Sequence, residues 1–128
     1  MLDACGVRAN VAKRTGYLVA SGGGITIRPG STAVLNGTVV EANAAVAEAS
    51  DARGGGVHNS GTLRAHGSRL VGNAARSNAG NAQGGALDNQ PGSDAPLTET
   101  VVEGNEAASD RGGAFGGGVS NAGTLTVH

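Results

Sequence analysis

Two glutamates, Glu41 and Glu103, sit in matching stretches of the 128-residue chain, "TVVEAN" and "TVVEGN". Paired carboxylates are the equipment of general acid–base chemistry, glycoside cleavage above all. The imidazoles of His58, His66 and His128 and the carboxylate of Asp88 add further candidates. Glycine clusters such as Gly54–Gly56 suggest a phosphate cradle, but the GxxxxGK[ST] continuation is missing and no GxGxxG spacing occurs. "GGALDN" departs from the calcium-binding nonapeptide GGxGxDxUx, which excludes a bound calcium row. Cys5 is the single cysteine, so there is neither an internal disulfide nor a cysteine-based zinc site. What these residues can do depends on which of them the fold brings together.

Composition narrows the fold. Apolar residues make up 38%, Tyr17 and Phe115 are the only aromatics, and glycine supplies 24 residues against 3 prolines. Collagen would need a three-residue glycine period, and a disordered chain would lack order in its sequence. Nine basic and ten acidic residues are interspersed to a net charge of −1, so no footprint for nucleic acid or an anionic membrane appears. No stretch is long and apolar enough for a membrane span, and Asp3, Arg8, Lys13 and Arg14 interrupt the apolar core that a signal peptide requires.

Order is present as a repeat. Glycine clusters followed by an aliphatic residue begin at Gly22, Gly54, Gly84 and Gly116, at intervals of 32, 30 and 32. An aliphatic-x-x-Asn motif ends at Asn10, Asn43, Asn73 and Asn105, and the last three of these precede the next glycine cluster by eleven residues each. "TAVLNGTVVEAN", "TLRAHGSRLVGN" and "DAPLTETVVEGN" align without a gap, the extra residues falling at Arg28-Pro29 and Gln90-Pro91. Within these blocks Ala33 and Leu35, Leu63 and Ala65, and Ala95 and Leu97 mark one apolar face with a period of two, the signature of half-buried strands.

Three short strands per unit of about 31 residues, with turns in constant register, predict an all-β, right-handed, single-stranded parallel β-helix whose coils stack about 4.8 Å apart. The segment is read as a single solenoid: a partial coil over 1–21, coils beginning near 22, 54 and 84, and a partial coil over 116–128. Helical repeats and propellers fit less well, for want of helical periodicity and of aromatic markers. The ten or so residues after each Asn read as loops, with a helical turn open to "ANAAVAEAS" (residues 42–50) but not to its counterpart "SNAGNAQ" (77–83).

Stacking reorders the candidates. Glu41 and Glu103 fall two coils apart, about 9.6 Å, beyond retaining and at the edge of inverting glycosidase geometry. Val71 lies between them and repetition explains the pair, so no catalytic residue, cofactor or metal is expected. His66 and His128 are likewise two coils apart. Gly22, Gly54, Gly84 and Gly116 read as coil corners needing positive φ or close backbone approach. Asn10, Asn43, Asn73 and Asn105 form one column and Asn59, Asn89 and Asn121 another, both read as amide ladders that satisfy turn backbone. Thr26, His58, Asp88 and Ser120 form an outward row able to contact a partner. "GGGVHNSGTL" (54–63) and "GGGVSNAGTL" (116–125) differ only at His58/Ser120 and Ser60/Ala122, and the outward His58/Ser120 position is where recognition would be written. The irregular, charged row Val34, Arg64, Pro96 and Thr126 argues against ice binding, and the sequon at Asn36 reads as chance.

The glycine-aliphatic clusters and the aliphatic-x-x-Asn motifs together resemble the polymorphic outer membrane protein repeat, whose motifs are GGAI and FxxN. Val7, Val40, Leu70 and Val102 stand at its Phe position. "GGGVxNxGTL" is similar to versions found in pectin-lyase-like right-handed β-helix regions of large bacterial surface and secreted proteins. The resemblance spans nearly the whole chain. It implies an autotransporter-like passenger at the cell surface or outer membrane, or secreted, with a stalk, adhesion or display role, and host or neighbouring-cell molecules or polysaccharide as partners. The same fold serves polysaccharide lyases and hydrolases, so a fragment of a carbohydrate-active enzyme is the alternative. The register opens and closes within a coil and no cap is apparent, so the chain is expected to be a segment of a longer protein, prone to end-to-end self-association.

Overall fold

A computed structural model describes all residues from Met1 to His128. It contains strands and turns and no helix. The chain winds as a right-handed parallel β-helix of about 4 turns with about 32 residues each. The coil that starts at Gly22 has strands Ile25–Ile27, Thr32–Asn36, Val39–Glu41, Ala44–Ala47 and Ala52–Arg53. Each pairs in parallel with its counterpart on the next coil: Val57–Asn59, Thr62–His66, Arg69–Val71, Ala74–Ser77 and Ala82–Gln83. Five parallel sheets therefore run along the axis, four of four strands and one of five.

Five strands per coil correct the expectation of three. The segment after each Asn, expected to be a loop, forms two further strands, and the stretch open to a helical turn holds the strand Ala44–Ala47. Alanine has poor strand propensity, but that propensity yields to packing. Ala20, Ala45, Ala47, Ala52, Ala75 and Ala82 form a buried cluster of their own, a thin lobe in which small side chains let opposite backbones approach. The wider lobe holds Leu35, Val40, Val57, Leu63, Leu70, Leu87 and Leu97. A core one coil deep is filled by these aliphatics without any aromatic ring.

The join between the lobes explains the glycines. Gly54 turns the chain with φ at 62°, a left-handed conformation that glycine adopts without a Cβ penalty. At Gly55 a Cβ would lie 2.1 Å from the carbonyl oxygen of Ala74, so the corner is pressed directly against the neighbouring strand. Gly22, Gly84 and Gly116 repeat the positive φ.

Candidate functional site

Two polar columns stand inside the solenoid. The Asn43 amide donates through Nδ2 to Asn73 Oδ1 at 3.0 Å and to the Val7 carbonyl at 2.8 Å, and Asn73 Oδ1 also accepts the Asn43 backbone N–H at 3.0 Å. Asn73 repeats this toward Asn105 and Val40, and Asn10 donates to Asn43. In the second column Asn59 donates to Asn89, and Asn89 to Asn121, each at 2.8 Å, with further bonds to the carbonyls of Asp94 and Thr124. Asn43, Asn59, Asn73 and Asn89 are buried, their amide hydrogens already donated within the fold.

The carboxylates stay apart. Glu41 pairs with Arg8 at 3.2 Å and Glu103 with Arg69 at 3.7 Å, while Val71 is the strand partner of both. Arg76 and Glu106 form a third inter-coil pair at 3.1 Å. All are exposed pairs of the kind that contributes at most about 1 kcal/mol. His66 and His128 are exposed.

The outward row does converge. His58 is the register partner of Thr26 on one side and of Asp88 on the other, and Asp88 is the partner of Ser120. Thr26 is exposed, and His58 and Ser120 are half-buried. Asp88 is only 2% exposed, which corrects its expected place in a contact surface. Its carboxylate is covered because it accepts from two neighbours, His58 Nδ1 at 3.0 Å and the Gln90 side-chain amide. Ser60 completes the group, its Oγ 3.2 Å from His58 Nε2. Alternation places His58 and Ser60, two apart, on the outward face of one strand end, and Asp88 and Gln90 likewise on the next coil. The result is a two-by-two block in which a serine, an imidazole and a buried carboxylate are hydrogen-bonded in that order.

A carboxylate only accepts, so the hydrogen bond between the two is donated by Nδ1–H, and an Nε2 that carries no proton is placed to accept from the Ser60 hydroxyl. Ser60 and Gln90 are absent from the outward row read in the sequence. The available signal was the two-residue spacing combined with the pairing of His58 and Asp88.

The surface concavities lie elsewhere. The largest, about 520 Å³, is bordered by Lys13, Arg14, Val46, Glu48, Arg76 and Asp110. No group of three or more His, Cys, Asp and Glu side chains is arranged to hold a metal ion. Comparison of the chain with protein-family models, with curated proteins and with solved structures finds no match in any of the three.

Proposed function

We propose that this solenoid is a rigid scaffold of a bacterial surface-exposed or secreted protein, serving as a stalk or as an adhesive display surface. One observation carries the reading: the interior repeats from coil to coil while the exterior does not. Inward, Val40 stacks on Leu70 and Asn43 on Asn73. Outward, Lys13, Val46, Arg76 and Ala108 succeed one another in a single column, changing character at every step. A constant core that tolerates varied outward residues is what a repeat protein needs to present recognition surfaces. The resemblance of the glycine and Asn motifs to bacterial surface repeats supports the location. The expected partners are host or neighbouring-cell surface molecules, or polysaccharide. Antibody against the segment should label intact cells that express the full gene, and protease added outside should remove that signal. Labelling seen only after permeabilisation would sink the proposal.

A further inference from the structure

The scaffold role makes no use of the Ser60–His58–Asp88 chain. We propose that Ser60 is a nucleophile, His58 its general base and Asp88 the positioning residue of a surface hydrolytic centre acting on esters with small acyl groups.

The hydrogen bonds join the atoms that this chemistry requires. Ser60 Oγ faces His58 Nε2 at 3.2 Å, and the opposite ring nitrogen faces Asp88 Oδ2 at 3.0 Å. A carboxylate that fixes the proton on Nδ1 leaves the Nε2 lone pair aimed at the hydroxyl, the arrangement that activates a serine. The carboxylate is itself fixed, its side chain only 3% exposed and gripped by Gln90. The His58 side chain is 13% exposed, enough to shield it while leaving the hydroxyl reachable at the half-buried Ser60.

The repeat supplies an independent argument. Within "GGGVHNSGTL" and "GGGVSNAGTL" eight of ten residues are identical, and the two that differ are His58 and Ser60. The coil corner is built equally well with Ser120 and Ala122 at these positions, with Val119–Asn121 pairing as Val57–Asn59 does. The backbone of the coil corner therefore requires neither His58 nor Ser60.

The surroundings set the substrate class. The N–H groups of Ser60 and Gly61 are donated to the Ile27 carbonyl and to Asn59 Oδ1, so they form no oxyanion hole. Weak oxyanion stabilisation suits esters over amides. None of the surface concavities is lined by Ser60, so the acyl group has no pocket and must be small, with the alcohol portion extending over the open sheet.

In the reaction Ser60 Oγ bonds to the acyl carbon as its proton passes to His58 Nε2. The bond to the leaving alcohol breaks, and that oxygen takes the proton from Nε2, leaving acyl-Ser60. Water then attacks the acyl carbon as its proton passes to His58 Nε2, the bond from that carbon to Ser60 Oγ breaks, and Oγ takes the proton back from Nε2, which releases the carboxylic acid and regenerates the free serine.

A fluorophosphonate probe, followed by tryptic mapping, tests the proposal. The peptide Gly54–Arg64 contains a single serine, Ser60, and should carry the adduct. Labelling should vanish in Ser60→Ala and fall by about 100-fold in His58→Ser. These variants install the residues found at Ala122 and Ser120, and circular dichroism should match the parent chain. Hydrolysis of p-nitrophenyl acetate should fall in parallel. Asp88→Asn should lower both rates and shift the His58 ring nitrogens toward the Nε2–H tautomer by nitrogen-15 NMR, an effect that a purely structural role for Asp88 in labelling would not produce. Absence of an adduct on Ser60, or one undiminished in His58→Ser, would overturn the assignment.

Discussion

His58 Nδ1 and Asp88 Oδ2 lie 3.0 Å apart although thirty residues separate them in the chain. The contact follows from the coil length, because a parallel coil brings residue i against its counterpart one turn later. A single residue inserted between Asn59 and Leu87 outside a turn would move one partner to the inward face and break the pair.

The pair should be energetically coupled. In a double-mutant cycle with His58→Ser and Asp88→Ser, the two single losses should exceed the double loss by about 0.5–3 kcal/mol, as urea unfolding would measure. Additive losses would mean that the two side chains do not interact in solution.

Asn73, like Asn43, is bonded to the coils on both sides. Replacing it with Ala removes its bonds to Val40 and Asn105 and strands the Asn43 amide groups that it accepts. With each stranded buried group costing about 1–3 kcal/mol, Asn73→Ala should lose about 3–5 kcal/mol in chemical denaturation. The exposed Asn10→Ala should lose far less.

Ala42 sits at φ 55°, where Gly72 and Gly104 occupy the matching positions at 63°. A left-handed Ala costs roughly 1–2 kcal/mol, partly offset by the greater unfolded-state freedom of glycine. Ala42→Gly should therefore raise the unfolding free energy by about 0.5–1 kcal/mol, visible as a higher melting temperature. At Gly55 the reverse holds, and Gly55→Ala should prevent folding because its Cβ would overlap the Ala74 carbonyl.

Acid should act through Asp51. Its carboxylate accepts the Asn81 backbone N–H at 2.9 Å and the Arg53 guanidinium at 3.0 Å. The Asn81 bond, reinforced by Arg53 against the opposing effect of burial, holds its pKa below the usual aspartate value. Between the folded and unfolded values the unfolded chain binds the extra proton, so this stabilisation is complete above the unfolded pKa and is lost as pH falls through the folded one. Unfolding monitored from pH 6 downward should show an acid limb that is shallower in Asp51→Asn.

The coil register was legible in the sequence because glycine and asparagine recur wherever the backbone admits little else. Gly54 and Asn73 announce themselves by spacing alone. The strand Ala44–Ala47 was hidden because alanine carries no period-two contrast, and its burial follows from the lobe it helps to build. The placement of His58 beside Asp88 could be read from the row, but the burial of Asp88 could not. That burial depends on Gln90 and His58 folding over the carboxylate, a matter of side-chain conformation. Ser60 was legible only as a difference between two repeats, and its meaning needed the third dimension.

Both asparagine columns donate in one direction, each Nδ2 to the Oδ1 of the following coil. Bonds from Asn43 and Asn73 Nδ2 to main-chain carbonyls fix which end of each amide is which. The aligned dipoles polarise one another, so every added link strengthens those before it. The columns also give the solenoid a vector that matches translation, because each donor is already in place when the next acceptor emerges. Donor-to-acceptor order and chain order thus coincide along both columns, which leaves the two open ends of the solenoid chemically unlike.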